Sequence, residues 1–317
     1  MNRIINQNKK KGIIMKRRLQ LIMICIMFIS TGATSLYAQE TGHYVPGIMG
    51  IKAASLPPPG NYYIMHNVFY SANATYDGNG DKANIGFDVN VFVNAHRYVH
   101  VWEDVFWGAN YAVNVIVPLV YTDISIGAFG VDANQFGVGD IILDPMVLSW
   151  NKPKFDIAFG VGAVVPVTEY DPTKPAAPGK GFWTGMLTFG GTYYFDANRT
   201  WTASLLSRYE IHSKKKDYDI TAGNDFTFEW GIGKTIMKKV IWTVGASGYA
   251  HWQLTEDKGD DVVWDPTVKD QIFSVGPEVQ CFIPKIKLNL ELRGLYEFGA
   301  IDRSQGTTLC LSLFKAF

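Results

Sequence analysis

The sequence predicts an all-β protein: an antiparallel, up-and-down transmembrane β-barrel of about 12 strands, preceded by a signal peptide and an irregular leader. Three observations carry this reading. Hydrophobicity alternates with a period of two through long segments. The connections between those segments alternate long and short along the chain. Finally, 47% of the 317 residues are hydrophobic and 14% aromatic, yet no segment after the N-terminus has the run of about 18 apolar residues that a helical span needs.

The alternation is plainest from Asp225 to Leu254. Phe226, Phe228, Trp230 and Ile232 share one parity, opposite Asp225, Thr227, Glu229, Gly231 and Gly233. After Met237-Lys238-Lys239 it resumes, with Trp242, Val244, Ala246, Ala250, Trp252 and Leu254 opposite Thr243, Ser247, Tyr249, His251 and Gln253. Helical spacing would scatter both sets around an axis, so a period of two means strand. Segments this long match tilted membrane strands of about 9–11 residues or more, against a usual mode of about five or six.

In chain order, Lys16-Arg17-Arg18, the apolar run Leu19 to Ile29 and the small-residue stretch to Ala38 read as a signal peptide over residues 1–38, with Met15 a candidate start. Residues 39–60, rich in Gly and Pro and ending Pro57-Pro58-Pro59-Gly60, form a leader that is either a periplasmic tail or an inward plug. The barrel then occupies residues 61–317. Its strands are expected at Asn61–Ala72, Lys82–Trp102, Val105–Tyr121, Gln135–Trp150, Phe155–Val167, Phe182–Phe195, Arg199–His212, the Asp225–Leu254 hairpin, Asp270–Phe282, Ile286–Ala300 and Gly306–Phe317.

Long connections lie at Asn73–Asp81, Thr122–Asn134, Thr168–Gly181, Ser213–Asn224 and Thr255–Lys269. Short ones lie at Glu103-Asp104, Asn151–Lys154, Asp196–Asn198, Met237–Lys239 and Pro284-Lys285. Long loops on one side and tight turns on the other are the outer-membrane pattern. A charge facing lipid near the midplane costs about 2–4 kcal/mol, so charged residues on the polar parity are assigned to the interior. The lumen-lining candidates are Asp88, Arg208, Glu210, Asp225, Glu229, Glu291 and Arg293.

Residues 1–38 hold seven basic and no acidic side chains, leaving the remainder at a net −7 and arguing against nucleic acid as a partner. Cys281 and Cys310 fall on opposite faces of strands not expected to be neighbours. Catalytic and cofactor motifs are missing: there is no Gly-x-Ser-x-Gly elbow, phosphate-binding loop or His-Glu-x-x-His. His66, His96, His212 and His251 read as interior polar residues with no serine placed beside them by spacing. The acidic stretch Glu256 to Asp265 lacks the ligand positions of a known Ca²⁺ loop and reads as a solvated loop. No metal or cofactor is expected.

A set of motifs completes the reading. They are His43-Tyr44-Val45-Pro46-Gly47 and Pro58-Pro59-Gly60, Gly137-Val138-Gly139-Asp140 with Pro145 and Leu148-Ser149-Trp150, and Val165-Pro166-Val167 before Tyr170. Lys216-Asp217-Tyr218-Asp219 with Gly223-Asn224-Asp225, and Gly276-Pro277, follow. In order and spacing the sequence resembles the outer-membrane transporter family associated with meta-pathway phenol degradation. Two departures are Val167-Thr168, where the family has a Gly, and Lys315 in the terminal strand. The resemblance implies passive uptake of small hydrophobic or aromatic compounds across the outer membrane of a Gram-negative cell. The barrel would be surrounded by outer-membrane lipid, and its terminal Phe317 would be read by the barrel-assembly machinery. The alternatives are a structural or adhesive surface barrel and, third, a lipid-acting enzyme.

Overall fold

The computed structural model of the protein describes residues 41–168, 171 and 173–317. The expected signal peptide, the leader residues Gln39 and Glu40, and Tyr170 lie outside the described residues. Thirteen strands form one sheet: β1 (Gly60–Ala72), β2 (Phe87–Phe106), β3 (Ala109–Ile126), β4 (Val131–Val138), β5 (Ile141–Asn151), β6 (Phe155–Val165), β7 (Thr184–Tyr194), β8 (Trp201–His212), β9 (Asp225–Ile236), β10 (Ile241–Gln253), β11 (Gln271–Ile283), β12 (Leu288–Ile301) and β13 (Thr307–Ala316). All pairings are antiparallel, and β1 meets β13 from Tyr62↔Ala316 to Ser71↔Thr307, which closes the ring. Closure satisfies the backbone N–H and C=O groups that an open edge would strand in hydrocarbon.

The ring has twelve positions because β4 and β5 share one of them. β4 pairs with the distal half of β3, Leu119↔Val138 to Ile126↔Val131, and β5 with the proximal half, Asn110↔Ser149 to Ile116↔Ile142. The single strand expected at Gln135–Trp150 is therefore interrupted at Gly139-Asp140. Beside the break, Pro178 of the β6–β7 loop packs so closely on Gly137 that a Cβ there would meet it at 2.8 Å.

Two turns differ from expectation. The tight turn expected at Glu103-Asp104 falls instead at Trp107-Gly108, where φ is 50° and 71°, the left-handed backbone that a two-residue hairpin requires. The loop expected at Thr122–Asn134 is mostly hairpin, with β3 running to Ile126 and a 3-10 turn at Gly127–Phe129 before β4. At the opposite end Lys315 donates its ammonium to the Ile286 carbonyl at 2.6 Å, and Phe317 stands exposed. The acidic loop is not simply solvated. Asp257 is buried and accepts from Gly223 N–H at 2.7 Å and the Trp264 indole at 2.6 Å, which ties together the loops after β8 and β10.

From β6 to β13 the outward parity is apolar and exposed, including Phe189, Leu205, Trp242, Leu292 and Tyr296. Such a surface is stable only against lipid. The inward parity of β8 to β12 holds Arg208, Glu210, Asp225, Glu229, Glu278, Arg293 and Glu297, all buried.

On β2 the polarity reverses, and β1 beside it is mixed, with His66 inside and Phe69 outside. Ile64, Val68, Val89, Val99 and Val101 are buried inside, while Asn67 and Asn94 hydrogen-bond to each other at 2.8 Å on the outward parity. His96, expected inside, lies on that outward row and contacts Tyr63 at 2.5 Å. Asp88, expected to line the lumen, is exposed there too, accepting from Asn90 at 2.9 Å.

Candidate functional site

The interior is occupied by the leader, and the reason is its backbone. An irregular segment carries N–H groups with no ladder to join, and buried N–H groups need acceptors. Inward carboxylates supply them. Glu210 on β8 accepts from the N–H of His43 at 3.2 Å and of Tyr44 at 3.1 Å. Glu229 on β9 accepts from Met49 N–H at 2.9 Å and from the Tyr44 hydroxyl. Glu278 on β11 accepts from Ile51 N–H at 3.0 Å. In return, Arg293 on β12 donates to the Gly47 carbonyl at 2.7 Å and to Glu278 at 2.7 Å. Gly50, with φ 59°, passes so close that a Cβ would collide with the Arg293 and Glu278 side-chain ends. Lys180 holds the near end through the Thr41 and Gly42 carbonyls, and Asp156 holds the far end through the Ser55 hydroxyl at 2.6 Å.

A row of histidines and acids runs along one side of this contact. Asp140 at the strand break meets His43 Nε2 at 2.9 Å and also accepts the N–H groups of Val167 and Lys180. His43 Nδ1 and His212 Nδ1 both lie 2.7 Å from the Thr184 hydroxyl. His212 then meets Asp225 at 3.1 Å, and His251 meets Asp270 at 3.2 Å, beside Arg303. Asp140 thus joins the leader, the β6–β7 loop and the β4–β5 break in one knot.

The leader from Ile48 to Pro58 forms one side of a cavity of about 640 Å³. The remaining sides are Ile64 and His66 on β1, Arg97 and Val99 on β2, Asn114 on β3, Asp144 and Val147 on β5, Ala158 and Gly160 on β6, Leu206 and Arg208 on β8, and Thr235, Thr243, Gln280 and Glu291 on β9 to β12. Small inward residues on β6 leave the space open, and most of the lining is apolar.

Of the seven expected lumen residues, Arg208, Glu210, Asp225, Glu229, Glu291 and Arg293 are buried and Asp88 is not. The leader brings Glu210 and Glu229 together, and Arg208 lies 3.6 Å from Glu229 with its guanidinium 4.0 Å from the Tyr44 ring centroid. Sequence reasoning overlooked Arg97, Asp140, Asp144 and Glu278 as site residues. It also found no serine for His66, whose Nδ1 lies 2.8 Å from the Ser312 hydroxyl. That pair is inside the barrel, where β1 closes on β13, and away from a lipid-facing rim. Among the described residues no group of three or more His, Cys, Asp or Glu is arranged to hold a metal ion.

A family model described as "Putative MetA-pathway of phenol degradation" matches residues 72–313. No curated protein sequence matches the chain. Among solved structures, an outer membrane channel from Pseudomonas putida F1 superposes with a TM-score of 0.72 at 15% identity, covering 87% of this chain and all 100% of that one. The β domain of the Bordetella autotransporter BrkA reaches a TM-score of 0.49 at 12% identity, covering 81% of this chain and 99% of that one. The first likeness supports the barrel fold; the second is too low to carry an argument.

Proposed function

The chain belongs to the family described by the MetA-pathway of phenol degradation, and from that premise we propose that it is a passive outer-membrane channel for small hydrophobic or aromatic compounds. The observation that carries the reading is the apolar cavity inside a lipid-facing barrel. Water-filled porins line their lumen with polar groups, whereas a chamber walled by Ile64, Val99, Val147 and Leu206 favours apolar solutes. The similar Pseudomonas putida F1 structure is itself an outer membrane channel. Phe317, exposed at the end of the chain, suits recognition by the barrel-assembly machinery. In this reading residues 41–59 are a plug that narrows the lumen, with solute passing beside it along the inverted wall.

Planar-bilayer recording on the purified protein tests this. The full chain should give small conductance steps, and a variant lacking residues 41–51 clearly larger ones, since the lumen it vacates fills with water and ions. A silent full chain and a silent deletion variant, both shown to be folded by heat-modifiable gel mobility, would remove the channel. The long loops would then be the working part of a surface barrel.

A further inference from the structure

We infer that the cavity is a binding chamber for a molecule with an apolar body and a single negative charge, such as an aromatic or short alkyl carboxylate. This deepens the channel reading and rests on it for the direction of transport only. The apolar part follows from the walls, where Ile64, Val99, Val147, Leu206, Phe282 and Phe314 face one space. The anionic part follows from two guanidinium groups set among them. Arg97 donates Nε to the neutral Asn114 amide at 3.1 Å and turns Nη1 toward the Met49 sulfur at 3.8 Å. Arg208 is nine-tenths buried, and its Nε and Nη1 have no hydrogen-bond partner among the described residues. Glu229 lies 3.6 Å away, committed to the Met49 N–H and the Tyr44 hydroxyl.

Guanidinium stays charged in any protein environment, so donors left over in an apolar wall call for an acceptor. The lining offers Lys52, Arg97, Arg208 and Lys287 against Asp144 and Glu291, with Glu229 behind it paired to Arg208, so one positive charge is left over before a ligand enters. A carboxylate matches the fork geometry of arginine and supplies the missing charge, while its ring or chain lies on the aliphatic wall. A neutral alcohol of the same shape fills the space and leaves the fork unmatched.

Calorimetric titration of the detergent-solubilised full chain with benzoate and with benzyl alcohol decides the matter. Benzoate should bind at least about tenfold more tightly, the scale of a charge-assisted hydrogen bond. In Arg97→Gln the ratio of the two affinities should fall toward one. Arg208→Met should do the same, and if that buried substitution prevents folding, Arg97→Gln alone carries the comparison. Equal affinities in the parent, or a ratio unchanged in folded Arg97→Gln, would overturn the assignment. Bilayer recording stays independent: benzoate binding in a barrel that never conducts sinks the channel and keeps the chamber.

Discussion

Two regions of the barrel wall, β8 to β12 and β2, follow opposite rules. From β8 to β12 aromatic and aliphatic residues face lipid and charges face inward, as a membrane barrel demands. The inward charges grip the leader through its own N–H and C=O groups. On β2 the inside is aliphatic except for Arg97, and asparagine, histidine and aspartate lie outside. The difference teaches that one wall supplies most of the leader's backbone anchors. Pinned mainly to the charged side, it leaves a cavity beside β1 and β2 that reaches across to Thr235, Thr243, Gln280 and Glu291.

The largest expected effect lies on the gripping wall. Glu278→Ala removes the nearer of the two carboxylates beside Arg293, whose guanidinium is almost fully buried, together with the acceptor for Ile51 N–H. Breaking a buried pair from one side costs about 3–5 kcal/mol. Ile64→Val on the cavity wall trims one methylene beside space that already exists, at the low end of about 0.5–1.5 kcal/mol. Melting of both variants in the same detergent checks the contrast. Similar losses would mean that the leader is not held from one side.

A smaller contrast concerns the outer surface. Leu292→Arg puts a charge on the conventional lipid face and should cost about 2–4 kcal/mol at mid-strand. Asn94→Arg replaces a residue already polar and hydrogen-bonded to Asn67, so its cost should be clearly less. Refolding yield into vesicles reports both, and equal damage would mean that the β1–β2 exterior is ordinary lipid face.

The same inversion explains how far the sequence could be read. Period-two alternation placed the strands, because a sheet with two different environments must alternate along every strand. The rule that charges point inward placed Glu229, Glu291 and Arg293 on buried positions, since β9 and β12 have one polar row and one apolar row each. On β2 that rule put Asp88 inside, and it failed. Asp88 shares its row with Asn90, Asn94 and His96, and the structure turns that whole row outward. The clue was Arg97, which interrupts the row of Val89, Val91, Val93, Ala95 and Val99. An arginine in an apolar row of a membrane strand forces the row inward. The knot at Asp140 left no such trace, because His43 and Asp140 are 97 residues apart and meet only once the leader is seated.

The smallest effects separate the cavity's floor from its polar wall, through two glycines on one row of β6. At Gly160 an added Cβ would meet Met146 O, Thr188 Cβ and Val147 Cγ2 at 3.5 Å, which is ordinary contact. Its backbone is not left-handed, so Gly160→Ala should stabilise the protein by about 0.4–1 kcal/mol through the unfolded chain. Two residues on, a Cβ at Gly162 would collide with Asp144 Oδ1 and reach the Met186 methyl at 3.2 Å. Gly162→Ala should therefore gain no stability and should push Asp144, the carboxylate beside Arg97 and Arg208, away from its place on the wall. With that competitor displaced, the preference for benzoate over benzyl alcohol should rise modestly, while in Gly160→Ala it should stay near the parent value. The same calorimetric titration, run beside thermal melting, reads both quantities. A rise in melting temperature for Gly162→Ala equal to that for Gly160→Ala would show that Asp144 does not occupy the space over Gly162, and the polar wall of the chamber would have to be redrawn without it.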